Sequence, residues 1–431
     1  MSTDRIVQHL AHADRALRAG NPDHARAEFG AALALDDGEP TARNWLGADA
    51  LGQGDAAAAA AHFEIACRRE PRERSHWMNL AAAHRALDQP APERAALEAA
   101  LAIDQTDLLA LVRIAELHER LGEERRAAER WTAVLALSAG IATPSPEFAA
   151  ILAHAGEFLG RQQRSFAAAL DGAMTAPLAA ATARDRRRMQ VAADAWIGRR
   201  PIYANQCEGL HYPFLPADEY FDRDHFPWLA ELEAATATIA TELAAILASP
   251  EVALTPYISL PPGVPANKWS GLDGSLDWGA FHLWKEGQRF ADACARAPRT
   301  AALVEALPIA RIDGRAPNIF FSILKAGGHI PAHNGVTNVR SVVHLPLIVP
   351  HGCRFRVGGE TREWARSEAF VFDDTIEHEA WNPTAHDRAI LILDVWNPYL
   401  SAHEQEMVRN FYAAADKGTG HQTESTSSPR A

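Results

Sequence analysis

The chain has 431 residues, 48% hydrophobic and 23% charged, and its 55 acidic residues outnumber its 42 Lys and Arg to give a net charge of −13. This composition is typical of a soluble globular protein of two or three domains, and the charge argues against nucleic acid or an anionic membrane as the main partner. The first residues predict no signal peptide, and no apolar run is long enough to span a bilayer. The 4 cysteines lack paired spacing, which favours a reducing compartment, and we expect a cytoplasmic protein.

A 34-residue period runs through residues 1–140. Large residues recur at this interval, namely Phe29, Phe63, Leu97 and Trp131. Leu51 and Leu87 are separated by 36 residues, a shift that a loop would absorb. Such a period of paired helices is typical of tetratricopeptide repeats, and an Ala-rich bundle without true repeats is the alternative. We predict an α-solenoid, which stacks its units to bury their apolar faces and which we expect to recruit a protein or peptide.

A second domain is indicated after a helical connector at residues 141–200. Residues 201–416 differ in composition, because Trp, His, Pro and Tyr become frequent. Short β-branched or aromatic runs follow from about 317 to 400, which is typical of an all-β sandwich or barrel. These runs are NIFFSIL, VRSVVHLPLIV, CRFRV, AFVFD and RAILILDVW. Residues 417–431 are polar, and we expect a disordered tail.

Two histidines of this region are candidate metal ligands. His333 lies in GGHIPAHNG, predicted as a loop between two strands, and His378 follows a predicted strand in VFDDTIEHEAW. Loops held by a rigid sheet commonly carry functional side chains, and two imidazoles brought together by a β-barrel can hold a divalent first-row metal.

Other polar residues of the predicted strands suit an anionic ligand. Period-two alternation places Arg340, Val342 and His344 on one face of their strand. Arg388 opens the last strand, and Ser322 lies in the first. A cavity with these groups beside a metal suits a dicarboxylate, since guanidinium pairs with carboxylate through two parallel hydrogen bonds.

The stretch from about Trp278 to Leu400 resembles the aspartyl/asparaginyl β-hydroxylase family. The matching segments are ILKAGGHIPAHNGVTNVR, VVHLPLIVPHGCRFRVGGETREW, VFDDTIEHEAWN and ILDVWNPYL, in consistent order. The resemblance implies a double-stranded β-helix, a jelly-roll of cupin type, with flanking helices. The chain would then be a multidomain α + β protein whose second domain uses Fe(II), 2-oxoglutarate and O2.

The resemblance also implies roles for particular residues. His333 and His378 match the two iron-binding histidines. Arg388 and Ser322 match the residues that bind the distal carboxylate of 2-oxoglutarate, and His344 matches the histidine near the carboxylate beside its keto carbon.

The third iron ligand is left open by the sequence. Most Fe(II) oxygenases use two histidines and one carboxylate, but two residues beyond His333 the chain has Gly335. The peptidyl hydroxylases that this chain resembles also have glycine there, which implies water in the third position, with Asn334 a weaker candidate. Asp374, four residues before His378, either caps a turn, orients that histidine or contacts substrate.

The chain departs from the peptidyl hydroxylases at two positions. Val342 stands where they have arginine, and Phe320 stands where they have a substrate-associated lysine. Both differences remove positive charge from the place where a substrate carboxylate would dock. Arg340, on the same strand face as Val342, either reaches inward or points past the site to water.

The resemblance implies a dioxygenase that hydroxylates a protein or peptide, at Asp or Asn for example, or an amino-acid-like substrate, and releases succinate and CO2. Two alternatives remain. One is a non-catalytic tetratricopeptide scaffold with a degenerate β-domain, and the other is a cupin-type metalloenzyme of different activity.

Overall fold

The computed structural model describes residues 2–419. These residues divide into two compact units, with the boundary between Ala179 and Ala180. No helix within the described part of the chain is both long enough and apolar enough to cross a bilayer.

The first unit consists of helices joined by short turns. In chain order they are α1 (Ser2–Arg18), α2 (Pro22–Leu35), α3 (Pro40–Gly52), α4 (Ala56–Arg69), α5 (Arg74–Ala86), α6 (Pro90–Ile103), α7 (Leu108–Arg120), α8 (Glu124–Ser138) and the long α9 (Pro146–Ala180). Consecutive helices from α1 to α8 pack as hairpins, α1 with α2 and so on to α7 with α8. The N-terminal region is therefore a helical-hairpin repeat, as the tetratricopeptide period predicts.

The hairpins keep an unbroken 34-residue register. Helices α1, α3, α5 and α7 end at intervals of 34 residues, and α2, α4, α6 and α8 begin at intervals of 34 residues. The inferred two-residue shift between Leu51 and Leu87 is wrong, because the two leucines are not equivalent. Leu51 is the second-last residue of α3, whereas Leu87 caps α5 in the position that Gln53 occupies after α3.

A second column of the repeat consists of small residues. Ala13, Gly47, Ala81 and Ala115 are separated by 34 residues and are all buried. At Gly47 the neighbouring helix comes closest, since an added Cβ would lie 2.7 Å from the Phe63 ring. Small side chains in this column therefore allow the large residues of α2, α4, α6 and α8 to pack against the preceding helix.

The second unit combines helices with a β-rich core. Its helices are α10 (Ala183–Trp196), a short 3-10 helix (Arg223–His225), α11 (Leu229–Ala234), α12 (Thr236–Ala248), α13 (Ala291–Arg296), α14 (Pro298–Ala306) and α15 (Ala402–Thr419). Its strands are β1 (Thr255–Pro256), β2 (Trp278–Lys285), β3 (Gln288–Arg289), β4 (Ile319–Leu324), β5 (His329–His333), β6 (Arg340–Ile348), β7 (Arg354–Val357), β8 (Glu360–Glu363), β9 (Phe370–Phe372), β10 (His378–Trp381) and β11 (Arg388–Trp396).

The strands form two antiparallel sheets. The larger has the order β1-β2-β4-β11-β6-β9, with β3 paired to β2, and the smaller has the order β5-β10-β7-β8. The second unit is therefore a domain of antiparallel sheets with flanking helices.

Two bounds of the sequence prediction need correction. The β core starts upstream of residue 317, because β2 at Trp278–Lys285 pairs with β4 along its length. The polar tail starts later than residue 417, because α15 continues to Thr419. The rest of the predicted disordered tail lies outside the described residues.

Alternation along the strands of the larger sheet separates an apolar face from a functional face. On β11, Ala389, Leu391, Leu393 and Val395 join the core cluster that includes α12 and α14. The intervening residues, Arg388, Ile390, Ile392 and Asp394, line a cavity on the other face. The sheet thus buries one face under helices and presents the other to the site.

Candidate functional site

A cavity of about 1260 Å³ is lined by residues of both sheets. All eight candidate residues of the sequence analysis line it, namely Ser322, His333, Asn334, Arg340, His344, Asp374, His378 and Arg388. They come from β4, β5, β6, β10, β11 and the connections that follow β5 and β9. Residues far apart in the chain therefore meet in one enclosed space.

The two candidate metal ligands lie on neighbouring strands. His333 is the last residue of β5 and His378 the first of β10, and they are directly opposed across the strand pair. Their ring centroids are 4.0 Å apart. The placement of both histidines in loops is corrected: each belongs to a strand end, where the ladder fixes the separation of their backbones.

Hydrogen bonds leave one nitrogen of each imidazole available. His333 Nδ1 lies 2.8 Å from the Pro331 carbonyl oxygen, and His378 Nδ1 lies 3.0 Å from the Ile376 carbonyl oxygen. Because a carbonyl only accepts, Nδ1 carries the proton in both rings and Nε2 keeps its lone pair. A backbone carbonyl that fixes the tautomer in this way is common behind metal-bound histidines.

Burial keeps both imidazoles neutral. It lowers the pKa of His378 to about 4 and holds the pKa of His333 well below its usual range, and the nearby His378 lowers the latter further. Neutral imidazole is the form that binds a metal ion.

A third protein ligand is not supplied beside this pair. Within residues 2–419, no group of three or more His, Cys, Asp and Glu side chains is placed to hold a metal ion. A Cβ added to Gly335 would overlap the Asp374 carboxylate, so this glycine position has no room for a carboxylate of its own. Two free Nε2 atoms that line one cavity fit a divalent metal whose remaining ligands are not protein groups.

Arg388 is a buried cation without an acidic partner. It is 1% exposed, its guanidinium lies 3.3 Å from the Ser322 hydroxyl and 4.3 Å from the centre of the Trp364 ring, and its Nε has no hydrogen-bond partner in the structure. Burial lowers the pKa of Arg388 to about 9, since no carboxylate compensates the lost hydration. Such a group is suited to bind an anion.

Ser322 is oriented toward the same place. Its hydroxyl accepts a hydrogen bond from Trp278 Nε1 at 3.0 Å, which leaves its own proton for a further acceptor. His344 lies deeper among the rings of Phe355 and Phe372, and its Nδ1 is buried without a partner. Burial and the charge of Arg388 hold the pKa of His344 well below its usual range, so this imidazole is neutral.

Arg340 reaches inward, which settles the alternative left open by the sequence. Its guanidinium donates to Asp394 at 2.5 Å and lies 3.9 Å from Asp374. The two carboxylates raise the pKa of Arg340. Arg340 is therefore charge-paired within the protein, unlike Arg388.

Asp374 and Asn334 have different local partners. Asn334 donates through Nδ2 to the Thr375 carbonyl at 2.9 Å, so its side chain ties two connections together. The carboxylate of Asp374 has one oxygen, Oδ1, that is buried without a partner in the structure. Burial raises the pKa of Asp374 to about 7, although Arg340 opposes this effect.

Sequence reasoning missed a segment that contacts the connections following β5 and β9. Residues 205–212, here called the crossing segment, have no regular secondary structure. Asn205 Nδ2 donates to Asp373 at 2.7 Å, and Gly209 N donates to the Val336 carbonyl at 2.8 Å. The signal available in the sequence was the Asn, Tyr and His content of this stretch, which does not reveal its partners.

Trp269 and Tyr257 were also missed as part of the site, whereas Trp278 was expected in the core or the cavity wall. The rings of Trp269 and His333 have centroids 5.0 Å apart, and Tyr257 stacks on Trp278 at 4.0 Å. Their position depends on β1 and β2, which the strand prediction did not include.

Known proteins are similar to parts of this chain. The family profile described as aspartyl/asparaginyl beta-hydroxylase matches residues 233–398. The human aspartyl/asparaginyl beta-hydroxylase is 39% identical over 130 residues, which is 30% of this chain and 17% of that protein.

Residues 233–398 are therefore similar to the aspartyl/asparaginyl β-hydroxylase domain.

A second relative is named for a different substrate. An ornithine lipid ester-linked acyl 2-hydroxylase of Rhizobium tropici is 31% identical over 195 residues, which is 44% of this chain and 65% of that protein. The chain thus spans less than two thirds of the length of either relative. The N-terminal region is similar to a tetratricopeptide protein of Thermus thermophilus, with a TM-score of 0.29, 22% identity, and coverage of 44% of this chain and 98% of that one.

Proposed function

We propose that this protein is an Fe(II)- and 2-oxoglutarate-dependent dioxygenase that hydroxylates a protein, peptide or amino-acid-like substrate and releases succinate and CO2. The observation that carries the proposal is the buried Arg388, which has no carboxylate partner and lines the same cavity as the free Nε2 atoms of His333 and His378. The hydroxylase relatives support the reaction class.

Each part of the cosubstrate has a matching group in the cavity. The distal carboxylate would accept hydrogen bonds from the Arg388 guanidinium and the Ser322 hydroxyl, which lie 3.3 Å apart. His344 would meet the other carboxylate with its unpartnered Nδ1. His333 and His378 would hold Fe(II), which supplies activation of O2 when bound.

The protein's own contribution is to position substrate and to keep water away from the reacting atoms. The His pair is enclosed by the rings of Trp269, Phe355 and Phe372, each within 6 Å of one of the two imidazoles. An apolar enclosure of this kind excludes water and strengthens the charge pairing of Arg388 with an anion.

Metal and cosubstrate binding test the proposal directly. His333→Ala and His378→Ala should each lose Mn(II) binding and succinate release. Arg388→Ala should keep Mn(II) binding but need roughly tenfold or more 2-oxoglutarate for half-maximal succinate release, since a hydrogen bond to a charged group contributes about 1.5–3 kcal/mol.

Two exposed residues provide matched controls. His351→Ala and Arg366→Ala remove a histidine and an arginine side chain outside the cavity. Both variants should leave Mn(II) binding and the dependence of succinate release on 2-oxoglutarate unchanged. Unchanged dependence on 2-oxoglutarate in Arg388→Ala would exclude the anchoring role. Absence of 2-oxoglutarate binding to the wild-type protein would instead favour a cupin-type metalloenzyme of another class or a non-catalytic scaffold.

We further propose that the helical repeats recruit the protein or peptide to be hydroxylated, because stacked hairpins offer an extended surface for a segment of chain. A screen of peptides and of cell extracts, read by succinate formation and a mass gain of about 16 Da for one added oxygen atom, tests this together with the substrate identity. Equal turnover of the best peptide by a protein lacking residues 2–138 would exclude recruitment by the repeats.

A further inference from the structure

The cavity has two chemically different ends. Strand pairing places Arg388 beside Leu324 at one end of the larger sheet and Asp394 beside Val342 at the other. Six residues along a strand correspond to about 20 Å, at roughly 3.4 Å per residue. The Arg388 end is cationic, and the other end, here called the carboxylate end, contains Asp394, Asp374 and Arg340.

The carboxylate end has more negative than positive groups. Asp394 is fully used, because Oδ2 accepts from the backbone and side-chain nitrogens of Asn318 at 2.8 Å each and Oδ1 accepts from Arg340 at 2.5 Å. Asp374 still has an oxygen that can accept a hydrogen bond, because Oδ1 has no partner in the structure although the side chain is only 10% exposed. A buried acceptor that lines a cavity and lacks a donor needs one from a ligand.

An uncharged aromatic wall lies between the two ends. Phe320 stacks on Tyr257 at 5.3 Å and on His282 at 5.0 Å, and Tyr257 stacks in turn on Trp278. Burial lowers the pKa of His282 to about 4 and raises that of Tyr257 to about 12, so neither carries charge near neutral pH. Val342, which is 8% exposed, adds another apolar group.

This wall is unsuited to a charged substrate group. Burying a carboxylate against it without a cationic partner would cost several kcal/mol in lost hydration. A hydrocarbon stem gains free energy from the same contact, at roughly 25 cal/mol for each Å² removed from water.

We propose that the substrate of this site has an apolar stem that ends in an N–H donor, an ammonium or an amide, and that it is not a free carboxylate. The stem packs against Phe320 and Tyr257, and the N–H group donates to Asp374. The inference rests on the proposed function in one respect, namely that 2-oxoglutarate occupies the Arg388 end and leaves the carboxylate end to the substrate.

Binding of three matched six-carbon probes tests the inference without turnover. Hexylammonium, hexanamide and hexanoate are titrated calorimetrically at pH 8 into the full-length protein saturated with Mn(II) and 2-oxoglutarate. We expect hexylammonium and hexanamide to bind at least tenfold more tightly than hexanoate. Equal or tighter binding of hexanoate, or binding of none of the three, would overturn the inference.

Variants locate the preference within the cavity. Asp374→Asn should weaken hexylammonium binding at least fivefold, whereas Asp224→Asn, at an exposed position outside the cavity, should not change it. Phe320→Lys should reverse the order, so that hexanoate binds more tightly than hexylammonium. If Asp374→Asn fails to fold, as circular dichroism would show, the reversal in Phe320→Lys decides alone, and its absence contradicts the inference.

The proposed function fails separately from this inference. Binding of Mn(II) and 2-oxoglutarate is measured in the same samples before the probes are added. If the protein prefers hexylammonium over hexanoate but does not bind 2-oxoglutarate, the inferred ligand class stands and the dioxygenase proposal is contradicted. If it binds 2-oxoglutarate but prefers hexanoate, the dioxygenase proposal stands and the inferred ligand class is contradicted.

Discussion

Gly335 and Asp374 show how the side chain of one residue excludes a side chain at another. The backbone N–H of Gly335 donates to the Asp374 carbonyl at 2.5 Å, and the Asp374 carboxylate occupies the space where a Cβ of residue 335 would lie. The two positions therefore share one volume, and only one of them can carry a side chain that points into it.

A double-mutant cycle measures this exclusion. Gly335→Ala should destabilise the protein by about 1–3 kcal/mol, because overpacking displaces a buried carboxylate. In the presence of Asp374→Gly the same change should cost at least about 1 kcal/mol less, since the overlapping group is absent. Urea unfolding of the four proteins gives the coupling, and additive values would contradict the shared volume.

His378 makes stability depend on pH in the metal-free protein. Its pKa is 6.5 in the unfolded reference and about 4 in the fold. As the pH falls below 6.5, the unfolded state takes up the proton first, so the free energy of unfolding decreases until the pH reaches about 4. At ~1.4 kcal/mol per unit, this one group accounts for a loss of roughly 3 kcal/mol.

Urea unfolding in EDTA at pH 7.5 and pH 5 tests this dependence. The His378→Asn variant should lose less stability than the wild-type protein between the two pH values, because its side chain does not titrate. An identical loss in both proteins would mean that His378 is already protonated, or exposed, in the fold.

At the scale of the helix, the small-residue column determines how closely the hairpins approach. Gly47 faces the Phe63 ring, whereas nothing lies within 4 Å of a Cβ added to Gly52 of the same helix. Gly47→Ala should destabilise the first unit by about 1–3 kcal/mol through overpacking. Gly52→Ala should stabilise it by up to about 1 kcal/mol, because alanine favours the helix. Thermal unfolding of the pair measures the difference, and the same sign for both would contradict the packing argument.

Elements with a strong periodic pattern were predictable, and those that depend on pairing were not. The last strand was placed at its observed bounds because RAILILDVW is continuous and apolar, as expected of a strand between two partners. In contrast, β5 and β10 contain HIPAH and HEAW, which carry no apolar alternation. They become strands through pairing, β5 with β10 and β10 also with β7. The same limit explains why the histidines were assigned to loops.

The residues that form the site could be predicted from the sequence, but the contacts between them could not. The segments that resemble the hydroxylase family contain fixed residue types, so each candidate could be assigned to a position in the sequence. All eight candidates line the cavity. The partner of Arg340 was not predictable, because Asp394 lies 54 residues away in the chain and becomes its neighbour only through the pairing of β6 with β11. The crossing segment was missed for the same reason, since its hydrogen bonds join residues more than 120 positions apart.

At the scale of the whole molecule, each of the two units has hydrophobic core clusters of its own. The core clusters of the helical repeats contain only residues of the first unit, and those of the sheets contain only residues of the second. Proteins built in this way commonly unfold in more than one step.

Calorimetry with and without ligands tests this separation. We expect two unfolding transitions, and Mn(II) with 2-oxoglutarate should raise the temperature of only one of them. At a concentration of 100 times the dissociation constant, one bound ligand stabilises the native state by about 2.7 kcal/mol. A single transition that shifts as a whole would show that the units unfold together.

The opposed histidines of β5 and β10 also have a consequence for the chain as a polymer. They are 45 residues apart in sequence, so a metal ion held by both would join the ends of a long loop without a covalent bond. While the metal ion is bound to both histidines, the segment between them is closed into a loop. Release of the metal ion restores the conformational entropy that closing this loop had cost. Removal of such a metal ion would then loosen the smaller sheet, to which both strands belong.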